Sequence, residues 1–170
     1  MTDVPLTWRR VPASIRTVAR WATIVNAAGY AVAIAFVRHT TQLTPAGAAT
    51  RYRGGDPAAP ATGAMHFPKP LAEMLLSTHT HLLGMTTLFV ISGLCFALCP
   101  RPSGRWKAFL LVEPFAATLI TFVAIWLTRF VDERFAWLLF LSSTSMALVF
   151  AIQTAVTLRA LHAADRDRDG

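Results

Sequence analysis

Four long apolar segments constrain the fold of this chain more strongly than any other feature. They lie at about 18–37, 75–98, 106–127 and 136–158, and each is long enough to cross roughly 30 Å of hydrocarbon as an α-helix. Only 15% of the residues are charged, whereas soluble domains average about 25%. Since little sequence is left for a soluble core, we expect an all-α integral membrane protein, a four-helix bundle that forms a single domain over residues 1–170.

Basic residues flank the apolar segments unequally and therefore predict an orientation. Ten of the 16 lysines and arginines lie on the side that holds both termini, and six lie on the other side. The side richer in lysine and arginine is normally cytoplasmic. We expect an up-down-up-down bundle with both termini in the cytoplasm, a periplasmic loop over residues 38–70 and a disordered tail over residues 163–170. The predicted location is the bacterial inner (cytoplasmic) membrane, as a multi-pass protein.

The net charge of +7 does not indicate nucleic-acid binding, because the basic residues lie at predicted helix ends. The lipid bilayer is instead the expected partner. Within the long loop, Thr44-Pro45 places a hydroxyl cap before a proline at the first helical position, which predicts a short helix that Gly54-Gly55 ends. The other two connections are short, so the second, third and fourth spans should be consecutive antiparallel neighbours.

Histidines are concentrated on the predicted outer side of the membrane. Of the five histidines, four belong to that side: His39, His66, His79 and His81. Residues two apart on a helix point about 200° away from each other, since only i,i+3 and i,i+4 pairs share a face. His79 and His81 therefore cannot hold one ion from a regular helix, and each must find its own partners.

Small residues lie between the two imidazoles. Thr80, Gly84 and Thr87 form a stripe of the small-xxx-small type, which lets another helix approach closely. One interpretation of the histidines is therefore structural, with each imidazole hydrogen-bonded to a neighbouring helix or to lipid headgroups.

A second interpretation of the histidines is a metal or haem site. His81 and Met85 are four residues apart and share a helix face, and a nitrogen with a thioether suits Cu(I) or haem iron. The loop pair Met65-His66 could close the same site, and His39 could be the opposite axial ligand of a b-type haem. A quinone pocket and a proton-linked histidine are further alternatives.

Glu113 is the one carboxylate well inside a predicted span, and such a residue is a functional-site hypothesis by default. Asn26 and Gln153 lie at comparable depth from the same side. The three side chains could form one hydrogen-bonded cluster that sets the helix register, or part of a proton or cation path. A salt bridge from Glu113 to Arg105 or Lys107 is a third alternative. Pro114 beside it frees a backbone carbonyl and kinks the helix.

The loop and the start of the second span carry T-P-x-G, Y-R-G, F-P-K and H-x-H elements, in that order along the chain. They resemble an uncharacterised family of small bacterial four-helix inner-membrane proteins. Pro70 departs from the pattern, where a serine cap is expected. The resemblance implies the architecture and a region of interest, and it implies no reaction. The matching residues are Thr44, Pro45, Gly47, Tyr52, Arg53, Gly54, Phe67, Pro68, Lys69, His79 and His81.

The sequence shows no Walker loop and no G-x-G-x-x-G, H-E-x-x-H or G-x-S-x-G pattern, so an enzyme is not expected. The His/Met grouping favours a non-catalytic accessory component of a membrane redox or metal-handling system, with haem b or copper as candidate cofactors. A purely structural or assembly subunit is the first alternative, and a small proton-coupled transporter built on Glu113 is the second. Other membrane subunits or a second copy of the chain are the candidate protein partners.

Overall fold

The computed structural model describes residues 6–55 and 67–169, and in these ranges the chain is helical with no strand. A short 3-10 turn precedes five α-helices, of which four are long and apolar enough to cross a membrane. The predicted all-α membrane bundle is thereby confirmed. The helices are α1 (Ala13–Thr41), α2 (Pro45–Arg53), α3 (Leu71–Ala97), α4 (Gly104–Phe130) and α5 (Phe135–Asp169).

The four long helices alternate in direction and define two ends of the bundle. At what we call the terminal end, the start of α1 meets the end of α5, where Arg9 lies 2.8 Å from Asp167. At what we call the loop end, α2 meets the end of α4, where Arg53 Nη1 donates to the Thr128 carbonyl oxygen at 3.1 Å. Helices α1 and α4 run from the terminal end to the loop end, and α3 and α5 return. The cytoplasmic location of the terminal end stays a prediction.

Helix α5 continues through most of the segment that the sequence predicts to be a disordered tail. The prediction for 163–170 treats the tail as a solvated charged segment, yet residues 163–169 are helical. The cause is pairing with α1: Arg16 Nε donates to Asp165 Oδ1 at 2.8 Å, and Arg20 binds the other oxygen of the same carboxylate. These contacts hold the carboxylates in place, which the tail sequence alone cannot indicate.

Helix α2 forms as the loop sequence predicts. The Thr44 side chain caps it by accepting from the Gly47 backbone N–H at 3.0 Å, and Pro45 is the first helical residue. Gly54 ends the helix with a φ of 93°, a conformation that favours glycine. Gly47 is constrained by space, because a Cβ there would lie 1.9 Å from the carbonyl oxygen of Thr41. This contact places the start of α2 directly against the end of α1.

Packing is uneven among the four long helices. Of the most apolar 18-residue stretch in each helix, 33% is buried within the protein for α4 and α5, but only 11% for α1. Small residues on α4, including Ala117 and Ala124, let α5 approach closely. A hydrogen bond of 2.8 Å between Thr121 and Ser142 also joins these two helices. The antiparallel pair α4–α5 is therefore the packed centre of the bundle, and α1 lies at its edge.

Candidate functional site

The predicted histidine ligands lie on exposed surfaces and are not gathered around one point. His39 is exposed in the last turn of α1, and His79 and His81 are exposed on α3. The remaining candidates, Met65 and His66, lie outside the described residues. Within residues 6–55 and 67–169, no three His, Cys, Asp or Glu side chains form a group that could hold a metal ion. The haem or copper site therefore stays a prediction.

His81 has the most defined environment of these histidines. Its Nδ1 lies 2.8 Å from the backbone carbonyl oxygen of Ser77, and its ring centroid is 6.2 Å from that of Phe122 on α4. Because a carbonyl oxygen can only accept, Nδ1 carries the proton in this contact and Nε2 is left as an acceptor. Metal-binding histidines are commonly oriented in this way. Met85, one turn further along α3, is only half-buried.

The stripe of small residues on α3 faces away from the rest of the bundle. Thr80, Gly84 and Thr87 are all exposed, and a Cβ built at Gly84 would have no described atom within 4 Å apart from its own stretch of α3. The prediction of a close contact with another helix is therefore not met within the described chain. Both threonine hydroxyls donate to carbonyl oxygens of α3 itself, at 2.8 Å for Thr80 and 3.0 Å for Thr87.

Gln153 joins three helices and compensates for a proline. Pro114 has no N–H, so the carbonyl of Leu110, four residues earlier, loses its donor within α4. Gln153 Nε2 on α5 donates to this carbonyl at 2.6 Å. Ser92 on α3 donates in turn to Gln153 Oε1 at 2.7 Å. The Gln153 side chain thus binds α4 and α3 rather than Glu113 and Asn26, which divides the predicted cluster.

Glu113 lies one turn further toward the loop end, on the side of α4 that faces α1 and α5. Ser145 on α5 donates to its Oε1, and Tyr30 on α1 packs in one buried cluster with Ala117, one turn along α4. Oε2 is buried, and no described residue forms a hydrogen bond with it. The same is true of Nδ2 of Asn26. Buried polar atoms are normally paired, so this region is the strongest internal candidate for a site.

Several loop residues that carry the family resemblance hold α2 against the rest of the bundle. The Tyr52 carbonyl oxygen accepts from the backbone N–H of Lys69 at 3.1 Å, and the Lys69 carbonyl oxygen accepts from Arg129 Nε at 2.8 Å. With the contact of Arg53 to the end of α4, these bonds connect the loop to α3 and α4. Burial raises the pKa of the Tyr52 phenol, and the Arg51 guanidinium opposes that shift.

An open cavity of about 680 Å³ lies at the loop end between α2 and the start of α5. Arg53 and Glu133 contribute charges of opposite sign, and Trp137 contributes an aromatic wall at the predicted membrane interface. Because it opens widely to solvent and carries both signs of charge, it does not select one ligand class. The lining residues are Thr44, Pro45, Ala46, Ala49, Thr50, Arg53, Gly54, Gly55, Glu133, Arg134 and Trp137.

Sequence reasoning missed the partners that complete these polar contacts. Ser92, Tyr30 and Thr154 were not singled out, although Ser92 binds Gln153 and Thr154 has a buried hydroxyl that no described residue satisfies. One signal was available: Pro114 requires a replacement donor for the Leu110 carbonyl, and Gln153 is a suitable donor at matching depth. No comparable signal in the sequence indicated which hydroxyl residue would bind Gln153.

Comparison with known protein families gives a match over most of the chain. The model of a family described as a transmembrane helical domain matches residues 42–168, which include α2 to α5 and leave out α1. No curated protein and no solved structure matched the chain.

Proposed function

Because the chain belongs to the Aq_1264_TM family of transmembrane helical domains, we propose that it is a non-catalytic accessory subunit in the bacterial inner membrane. It serves a membrane redox or metal-handling system and presents its α3 surface to a haem or copper centre. His81 supplies one ligand, and the partner subunit or a second copy supplies another. Both termini face the cytoplasm in this proposal, so the α3 histidines lie beneath the periplasmic surface.

The orientation of His81 is the observation that carries the proposal. With Nδ1 bound to the Ser77 carbonyl, the ring is held in place and Nε2 remains available on an exposed surface. An imidazole nitrogen that faces hydrocarbon without a partner is unfavourable. A metal ion or a donor on a partner chain would remove that cost. Within residues 6–55 and 67–169 no group of three His, Cys, Asp or Glu side chains surrounds His81, so the proposal takes a further ligand from another protein.

The test is an absorption spectrum and metal analysis of the detergent-purified full chain, before and after reconstitution with haem or with Cu(I). We expect a Soret band or stoichiometric copper that is lost in His81→Ala. His162→Ala is the matched control, because His162 is exposed at the terminal end. A colourless and metal-free protein after both reconstitutions would refute the cofactor. Equal losses in the two variants would refute the assignment to His81.

The exposed stripe of Thr80, Gly84 and Thr87 favours a second candidate, a purely structural or assembly subunit. Gly84 has open space around it, so Gly84→Leu should leave the fold of the chain unchanged while blocking a helix that docks there. Gly29→Leu on α1 is the matched control, because Gly29 is equally open. We expect Gly84→Leu to lower retention of copurifying subunits, or of a second copy, in native gels. Equal retention in both variants would contradict this candidate.

A further inference from the structure

Among the described residues, three of the four buried polar atoms that lack a described partner lie on α1, on α5 and on the part of α4 that faces them. Asn26 Nδ2, Thr154 Oγ1 and Glu113 Oε2 are each buried and make no hydrogen bond to any described residue. Leaving such a group unsatisfied is unfavourable in a protein interior and in the hydrocarbon of a membrane. Three such groups on neighbouring helices therefore point to small polar molecules bound between these helices.

The register of α1 against α5 brings Asn26 and Thr154 face to face. The rings of Tyr30 and Phe150 pack with centroids 4.6 Å apart, which fixes one level of this antiparallel pair. Asn26 lies four residues before Tyr30, and Thr154 lies four residues after Phe150. Residues four apart share a helix face, so both side chains lie one turn nearer the terminal end, on the faces that meet.

The same register continues a row of polar side chains to the terminal end. Thr23 and Thr157 are each three residues further toward that end, and both are buried. Beyond them, Asp165 binds Arg16 and Arg20 at the edge of the bundle. We call Asp165, Thr157, Thr23, Thr154 and Asn26 the α1–α5 polar row. It connects the aqueous terminal end with the level of Tyr30.

Glu113 lies where this row ends. Tyr30 of α1 packs in the same buried cluster as Ala117, one turn along α4 from Glu113, and Ser145 of α5 binds the other oxygen of the carboxylate. Toward the loop end, the hydroxyl groups of Thr121 and Ser142 form a hydrogen bond of 2.8 Å with each other. Thr128 Oγ1, at the loop end of α4, also lacks a described partner, but it lies beyond this bonded pair. The other three unpartnered atoms are Glu113 Oε2 and the two on the terminal side of Glu113.

We propose that Glu113 is a proton-exchanging acid that is reached from the terminal end through water bound along the α1–α5 polar row. The unpartnered atoms include an amide N–H, a hydroxyl and a carboxylate oxygen. Water can accept from the first two and donate to the third, whereas a metal cation cannot accept from an N–H. A proton enters from the aqueous phase at the terminal end, binds Oε2, and returns by the same route. This inference is independent of the cofactor proposed for α3.

The experiment is infrared spectroscopy of the full chain in lipid vesicles, following the C=O band of the Glu113 carboxylic acid after a change from H₂O to D₂O. Glu113→Gln identifies the band, and Glu73→Gln, an exposed carboxylate at the loop end, should leave it unchanged. We expect the band to shift rapidly in the wild type and several-fold more slowly in Asn26→Leu. Thr121→Val, on the other side of Glu113, should not slow it.

Thr154→Val provides a second test that removes only one hydroxyl, and helical content measured by circular dichroism shows that each variant is folded. A slower shift in Thr154→Val supports the route as well. The proposal is overturned if no acid band depends on Glu113. It is also overturned if neither Asn26→Leu nor Thr154→Val slows the exchange, or if Thr121→Val slows it as much as they do.

Discussion

Helix α1 and the α4–α5 pair are both long apolar helices, yet they are held in different ways. Between α4 and α5, small residues permit close approach, and hydroxyl groups such as Thr121 and Ser142 bind each other directly. Helix α1 buries a third of the fraction that α4 and α5 bury. Its polar contacts are the ion pairs with α5 at the terminal end, and its buried amide at Asn26 has no described partner.

The bundle therefore consists of a packed centre, formed by α3, α4 and α5, and an attached helix, α1. In a membrane, lipid is as apolar as the helices, so the hydrophobic effect does not drive association; packing and hydrogen bonds do. Packing and hydrogen bonds both join α3, α4 and α5, whereas α1 is held more by ion pairs. The family match, which begins at residue 42, covers this centre and omits α1.

The largest effect should follow from removing the contact that joins the three central helices. Gln153→Leu leaves the Leu110 carbonyl and the Ser92 hydroxyl without their partner, so we expect the free energy of unfolding to fall by about 2–3 kcal/mol. Titration of the purified protein with a denaturing detergent measures this change.

Combination with Pro114→Ala is the decisive control for that prediction. Alanine restores an N–H that can donate to the Leu110 carbonyl within α4. Gln153→Leu should therefore cost less in the Pro114→Ala background than in the wild type. An equal cost in both backgrounds would show that Gln153 does not compensate for the proline.

A smaller and more local effect is expected at the attachment of α1. Arg16→Met retains most of the side-chain volume but removes the bond to Asp165 from a residue that is only 3% exposed. We expect faster amide hydrogen exchange along the first half of α1, with no change in α4 or α5. Arg10→Met is the control, because Arg10 is exposed in the 3-10 turn. Uniformly faster exchange in all helices would contradict the distinction between centre and attached helix.

Thr121→Val removes a single hydroxyl contact, the one with Ser142, from the packed centre. Valine has a similar shape and cannot bind Ser142, and such interhelical bonds in membranes contribute about 0.6 kcal/mol on average. We expect a loss of stability of that size in the same detergent titration. A change as large as that of Gln153→Leu would mean that this pair, rather than the glutamine, dominates the α4–α5 contact.

Salt should produce the smallest effect and should act only where the start of α1 meets the end of α5. Arg9 and Asp167 are 72% and 48% exposed, and exposed ion pairs contribute about 0–1 kcal/mol, which salt screens. At high ionic strength, amide exchange at the start of α1 and the end of α5 should rise slightly. No change is expected at Thr121 or Ser142, and a salt effect there would contradict the comparison.

The sequence predicts the membrane bundle and α2 because each depends on local patterns. Apolar length determines a membrane span, and Thr44-Pro45 with Gly54 determines the limits of a short helix. Position along each helix is also readable, since Glu113, Asn26 and Gln153 lie in the terminal half or near the middle of their helices.

Side-chain pairing could not be predicted, because it depends on how each helix is rotated about its axis. Gln153 and Asn26 lie at similar depths, but only the rotation of α5 decides that Gln153 faces Leu110. The stripe at Gly84 illustrates the same limit: small residues show where a close contact is allowed, not whether a helix of the same chain makes it. The tail differs for another reason, since its order depends on arginines about 150 residues earlier in the chain.

The missing donor at Pro114 has a consequence for how the protein is made. As α4 leaves the ribosome and enters the membrane, the Leu110 carbonyl has no hydrogen-bond donor within its own helix, and lipid offers none. The donor arrives only with α5, which is synthesised after α4. Insertion is therefore most favourable when α4 and α5 enter together as a hairpin, and the nascent chain should be most vulnerable to membrane quality control just before α5 emerges.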